Sequence, residues 1–203
     1  MIGVDEAGKG AVVGSMFVAA VGFGAGFAVP DSKRVAAEER ERLADRVRDE
    51  CGVAVVEVTA DEVDAYVGDG RDGGGGMNRL MVEAHARAVR SLSAPGRVVC
   101  DASDVSADRF ARRVGERVPN PVEAEHGADD EHDAVGAASV VAKVERDAVV
   151  TRFGAGSGYP GDETTVEYLR EVAPDYPAHV RESWSTAERV AREEKQSGLG
   201  DFG

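Results

Sequence analysis

Short apolar runs alternate with longer amphipathic stretches along the chain. Residues 1–5 (MIGVD) are an apolar run ending in acid, and residues 12–21 (VVGSMFVAAV) have the length and continuity of a buried strand. Residues 34–50 are charged, with Leu43 and Val47 four apart, which predicts a surface helix. The β-branched run 53–58 (VAVVEV) predicts a strand. Thr59 and Glu62 have capping-box spacing and open a short helix to Val67. Residues 68–76 (GDGRDGGGG) read as a glycine loop. Leu80, Ala84, Ala88 and Leu92 share one face of a helix over 77–92. A strand over 97–100 ends at Asp101, and a helix near 106–117 and a weak strand near 121–124 follow. Residues 133–153 are small and apolar enough for a long buried helix, broken over Gly154 to Gly161. Helices over about 163–172 and 182–195 complete the chain. Strands come first without intervening helices and then alternate with them. That order predicts a mixed sheet in an α/β fold, with extra helices at the C-terminus.

Two strand ends in this pattern carry acid. Residues 3–9 (GVDEAGK) satisfy the GxxxxGK spacing of a phosphate-binding loop, but the next residue is Gly10 instead of Ser or Thr. Asp5 and Glu6 inside the loop would also repel phosphate. The same residues make better sense as carboxylate chemistry. Asp5 and Glu6 close one strand, Asp101 closes another, and strand ends in an open α/β sheet face the ligand crevice. Clustered carboxylates suit hard divalent cations, which take oxygen ligands. Two such ions about 4 Å apart clamp both oxygens of a phosphodiester in transfer. A lone strand-end aspartate such as Asp101 equally serves as a turn or helix cap. Asp129, among Asp130, Glu131 and Asp133, is not distinguished by composition.

Composition narrows the classes. The 203 residues carry 38 acids against 24 Lys and Arg, a formal charge of -14, with 42% hydrophobic residues. One folded domain with a small appendage follows from length and apolar content. Only four cations are lysines: Lys9, Lys33, Lys143 and Lys195. A folded, acidic, lysine-poor chain fits high salt, where self-repulsion is screened over about 3 Å at 1 M. Taken alone, the charge argues against a polyanionic partner. Cys51 and Cys100 make no disulfide framework, pointing to an intracellular location. The uncharged stretch 11–30 contains Gly14, Gly22, Gly24 and Gly26 and follows an acidic start, so a buried strand and turn fit better than a membrane span. His85, His126, His132 and His179 show no paired ligand spacing and read as surface or capping residues, which supports neither a His-ligated metal site nor a Ser-His-Asp triad.

The motifs together resemble type 2 ribonuclease H, ribonuclease HII. GVDEAGKG (3–10) is similar to the family's opening motif and DSK (31–33) to its next signature. CDASD (100–104) resembles the segment of the third catalytic aspartate. EHGADDEHDAVGAASVVAKVERD (125–147) resembles the segment of the fourth and its following helix. GSGYP (156–160) and RESWST (181–186) match late motifs, the latter in the archaeal manner. All six occur in the family's order.

The resemblance implies a ribonuclease H-like fold: a five-stranded mixed sheet flanked by helices, with a catalytic domain over 1–155 and a C-terminal helical extension over 156–203. It implies cleavage of the RNA strand of RNA/DNA hybrids and of single ribonucleotides in duplex DNA, leaving 5′-phosphate and 3′-hydroxyl ends. Asp5, Glu6, Asp101 and Asp129 take the places of the catalytic, metal-binding acids, holding two Mg²⁺ or Mn²⁺ ions. Gly8, Lys9 and Gly10 correspond to a motif that usually reads Gly-Arg-Gly, where glycine lets backbone approach a ribose. Lys9 keeps the charge of that arginine without its planar fork. Tyr159 corresponds to the residue contacting the 2′-hydroxyl, the group that marks RNA. Lys9, Lys33 and Lys143 all lie in motifs, which points to substrate contacts. The expected molecule is a cytoplasmic monomer of archaeal type from a halophile, with no membrane partner. Alternatives are another two-metal nuclease or phosphoesterase on the same fold, or a non-enzymatic acidic cation-binding protein.

Overall fold

A computed structural model describes residues 1–22, 37–68 and 76–200. The chain opens with β1 (Ile2–Ala7) and β2 (Met16–Gly22). Then come α1 (Ala37–Glu50), β3 (Gly52–Val58), α2 (Ala60–Gly68) and α3 (Gly76–Leu92). β4 (Val98–Asp101), α4 (Ala107–Gly115) and β5 (Val122–Glu125) follow. α5 (Ala128–Glu131), α6 (Asp133–Val150), α7 (Glu163–Val172) and α8 (Ser185–Gly200) complete the order. The predicted Thr59 cap forms, its hydroxyl accepting from the Glu62 amide at 3.3 Å. Ser106 caps α4 in the same way, accepting from the Arg109 amide at 3.3 Å. The DSK segment, Lys33 included, and most of the glycine stretch lie outside the described residues.

The five strands form one mixed sheet in the order β3-β2-β1-β4-β5. β1 runs antiparallel to β2, with Asp5 opposite Ala19 and Glu6 opposite Val18. It runs parallel to β4, with Val4 opposite Cys100, so Asp5 and Asp101 each stand one residue past the last registered pair. β4 runs parallel to β5, ending on Asp101 opposite Glu125. Small residues let α6 press close to β1: a Cβ on Gly3 would collide with the Ala134 and Val135 backbone. Val99, Ala128 and Val135 form a buried cluster there.

Two differences from the sequence pattern bear on the site. The apolar run expected as a strand over 12–21 begins its strand only at Met16. Gly14 sits at φ +92°, and the Val12 and Val13 amides donate to the Gly158 carbonyl at 2.8 and 3.1 Å. Burial alone therefore explains their apolar character: both pack in a cluster with Ala155, Leu169, Val180, Ala187 and Val190. The helix expected over 133–153 is α-helical only to Val150 and ends in a 3₁₀ turn, Thr151–Phe153, before left-handed Gly154.

The described chain divides into two compact units that interleave in sequence: Met1–Ala7, Phe17–Glu57 and Met77–Glu145 form the first, and Gly8–Met16, Val58–Gly76 and Arg146–Gly203 the second. No helix among the described residues is long and apolar enough to cross a membrane.

Candidate active site

In the first unit, parallel pairing carries two acids to neighbouring strand ends, and a turn adds another. Asp5 is 6% exposed and its Oδ1 accepts from the Glu6 amide at 2.7 Å. Asp101 Oδ1 accepts from the Ala128 amide at 2.9 Å. That bond ties the end of β4 to the start of α5, whose second residue is Asp129. Gly127, at φ +70°, makes the turn between β5 and α5. α5 was not foreseen, since four residues carry no helical period.

The electrostatics link all four acids. Burial first, and then Glu6 and Asp101, hold the Asp5 carboxyl well above the usual carboxylate range, against a hydrogen bond from Ser139. Burial, Glu6 and Asp129 push Asp101 upward too, against the amides of Ala128 and Gly127. Cys100 is fully buried, and its thiol is pushed up by burial and then by Glu6, Asp5 and Asp101.

Three residues that the sequence pattern did not single out hold these acids. Ser103 Oγ donates to Glu6 Oε1 at 2.7 Å. His85, expected at the surface or in a cap, is instead fully buried on α3. Its Nδ1 lies 3.0 Å from the Met81 carbonyl, which only accepts, so that nitrogen carries a proton. Its Nε2 faces Glu6 Oε2 at 3.5 Å, and its ring meets Phe110 edge-on. The helical period already places His85 one residue from the core position Ala84, and it is this burial that reverses the surface reading. Ser139 sits in the apolar run of α6 and joins Asp5 to Lys143, whose Nζ donates to Ser139 Oγ at 2.8 Å. A single hydroxyl within an apolar helix face was the available signal. Nearby, Asp104 accepts from Arg109 Nε at 3.0 Å and from the Ser106 amide at 3.2 Å, which fixes the segment between β4 and α4.

The donor set is all carboxylate oxygen, self-repelling and partly buried, and this suits a hard divalent cation. Among the described residues, no cluster of three or more His, Cys, Asp or Glu side chains stands ready-made around one ion position. Mg²⁺ needs few protein ligands, since it keeps waters and shares substrate phosphates.

In the second unit, the Gly8-Lys9-Gly10 turn lies beside Tyr159. Gly8 is buried at φ +88°, and a Cβ there would stand 3.0 Å from the Ser15 carbonyl and 3.3 Å from Arg146 Cγ. Glycine is required at that position by the protein's own packing. Gly10 differs: it is exposed, and a Cβ would meet only Tyr159 Cε1, at 3.9 Å. Tyr159 is 37% exposed, with the Arg146 guanidinium 4.5 Å from its ring centroid. Arg146 also donates to the Ser157 carbonyl. Asp162 accepts from the Ser157 and Thr164 amides, which completes the loop that carries Tyr159.

A mixed five-stranded sheet in this order, with carboxylates gathered at the ends of its central strands, defines a ribonuclease H-like protein. The family model described as ribonuclease HII matches residues 2–187. A ribonuclease HII of Natronomonas pharaonis is 46% identical over 218 residues, covering 100% of this chain and 99% of that protein. The crystal structure of ribonuclease H2 from Pyrococcus horikoshii is similar at TM-score 0.82 and 31% identity, covering 96% and 98% of the two chains. The ribonuclease HII solved in complex with PCNA from Archaeoglobus fulgidus is similar at TM-score 0.78 and 32% identity, covering 93% and 95%. The chain belongs to the ribonuclease HII family, in its archaeal type, and is a hydrolase of the endonuclease class.

Proposed function

We propose that this protein hydrolyses the RNA strand of RNA/DNA hybrids and single ribonucleotides embedded in duplex DNA, leaving 5′-phosphate and 3′-hydroxyl ends. The observation that carries this reading is the placement of Asp5, Glu6 and Asp101 at neighbouring strand ends, with Asp129 on the turn that the Asp101–Ala128 bond ties to them. These four acids would hold two Mg²⁺ or Mn²⁺ ions. Bound there, the ions would supply an activated water and neutralise charge on the scissile phosphate. The chain's own residues do the remaining work. Ser103 holds Glu6, which His85 Nε2 faces at 3.5 Å, the Ala128 amide holds Asp101, and Ser139 links Asp5 to Lys143.

Gly8, Lys9, Gly10 and Tyr159 select the ribose. Support comes from Gly10, whose lack of a side chain is not demanded by the protein's own packing. A partner that approaches the backbone closely explains it. Lys33 and Lys143 contribute to substrate binding in this reading. Residues 1–155 carry the chemistry, and the C-terminal stretch that begins at 156 supplies Tyr159. The protein works in the cytoplasm as a monomer, at high salt.

The test is cleavage of a labelled duplex with one embedded ribonucleotide, with Mg²⁺ or Mn²⁺ and molar KCl. The expected result is one cut beside the ribonucleotide and none in an all-DNA duplex of the same sequence. No cleavage under these conditions overturns the reading, and equal cleavage of both duplexes replaces it with a general nuclease.

A further inference from the structure

Two side chains of the second unit, buried Arg181 and half-buried Trp184, converge on one short turn. Arg181 is fully buried. Its Nη2 donates to the Gly8 carbonyl at 2.8 Å and the Gly14 carbonyl at 3.0 Å. Its Nη1 donates to the Lys9 carbonyl at 2.9 Å, and its Nε to the Gly14 carbonyl at 3.2 Å. Trp184 adds the next residue, its Nε1 donating to the Gly10 carbonyl at 3.3 Å, with its ring centroid 5.0 Å from the Arg181 guanidinium. Three consecutive carbonyls are thus taken by two side chains. Asp64 fixes the segment that carries both, accepting from the Glu182 amide at 2.8 Å and the Ser183 amide at 3.2 Å.

A trans peptide holds its C=O and N–H on opposite sides. Drawing the Gly8 and Lys9 carbonyls onto Arg181 therefore turns the Lys9 and Gly10 N–H groups away from it. Burying a guanidinium is costly unless its donors are satisfied. A five-donor fork matches several converging carbonyls in a way that a point charge cannot.

We propose that Arg181 is a positioning residue for ribose selection: with Trp184, it sets the peptide planes of the Gly8-Lys9-Gly10 turn and so presents the open face of Gly10 beside Tyr159 to the sugar. This rests on the assignment of that turn to ribose recognition.

The test compares the dissociation constants of a fluorescein-labelled duplex with one ribonucleotide and of the same duplex in all-DNA form. EDTA is present so that bound duplex is not cut. The wild type is expected to prefer the ribonucleotide duplex. Arg181→Lys, which keeps charge but loses the fork, and Trp184→Phe, which keeps the ring but loses the donor, should each reduce that preference about threefold to tenfold. Affinity for the all-DNA duplex should hardly change. Should Arg181→Lys fail to fold, Trp184→Phe decides. An unchanged preference in a folded variant, with only its Tm lowered, makes the role merely structural and overturns the proposal. A wild type without any preference overturns the assignment of the turn, and this inference with it.

Discussion

At the scale of single residues, charge and the absence of a side chain do most of the work. Asp101 is raised by burial and by its acidic neighbours while accepting one amide bond. Asp101→Asn keeps an oxygen for the Ala128 amide and removes the charge. We expect cleavage to fall by about a thousandfold or more, the scale of several kcal/mol of lost charge stabilisation. The metal-free variant should melt at or above the wild-type Tm, because repulsion is relieved; calorimetry beside the cleavage assay checks both. Gly10 makes the complementary case. Gly10→Ala meets only the Tyr159 ring edge and trims unfolded-chain entropy, so Tm should hold or rise. Cleavage beside a ribonucleotide should drop about a hundredfold if the sugar is displaced by an ångström. Retained turnover would remove Gly10 from the substrate contact.

At the scale of elements, the segment joining β4 to α4 shows how a local ion pair serves the site. Arg109 is the chief cause that holds the Asp104 carboxyl below its usual value of 3.8. A carboxyl whose folded value is depressed stabilises the fold above its unfolded value and loses that contribution as pH falls through the folded one. Asp104→Asn should therefore lower Tm by a few degrees at pH 7, and the gap should close as pH falls below 3.8. A gap independent of pH would assign the loss to packing instead. Several elements were legible from period alone: α3 buries Leu80, Ala84 and Ala88 as its face predicts, and the Thr59 cap forms. The start of β2 was not, because an apolar run reads alike whether a sheet or a helical cluster buries it. α5 escaped for the opposite reason: a single turn, set by Gly127 and the Asp101–Ala128 bond, has no period to read.

At the scale of the whole molecule, the proposed reading makes the charge of -14 a description of solvent more than of partner. In the proposed reading a handful of acids belong to the site. Many of the others are solvated or meet exposed arginines at helical spacing, as in Arg42–Glu38 and Arg189–Glu193, pairs of small individual value. Raising KCl from 0.1 to 2 M should raise Tm, by roughly 2–4 °C for each kcal/mol of repulsion removed at this chain length. Thermal melts across the series check it, and a flat or falling Tm would remove salt adaptation from the account. Binding of nucleic acid under such salt rests on short-range contacts, since long-range attraction is already screened.

The amino-acid order by itself determined the strand ends that carry Asp5, Glu6 and Asp101, because apolar runs that stop at acids are a local signal. It also determined the family, through six motifs in series. Only the tertiary structure decided which acids feel one another and what stands against them: Ser103 and His85 at Glu6, Ser139 at Asp5, Ala128 at Asp101, and Arg181 at the carbonyls of the glycine turn. These partners stand from 27 to 173 positions apart in the chain, apart from the sheet's own pairings. Hydrophobic period reports which face of an element is buried, and it carries no record of which distant polar group that burial brings opposite.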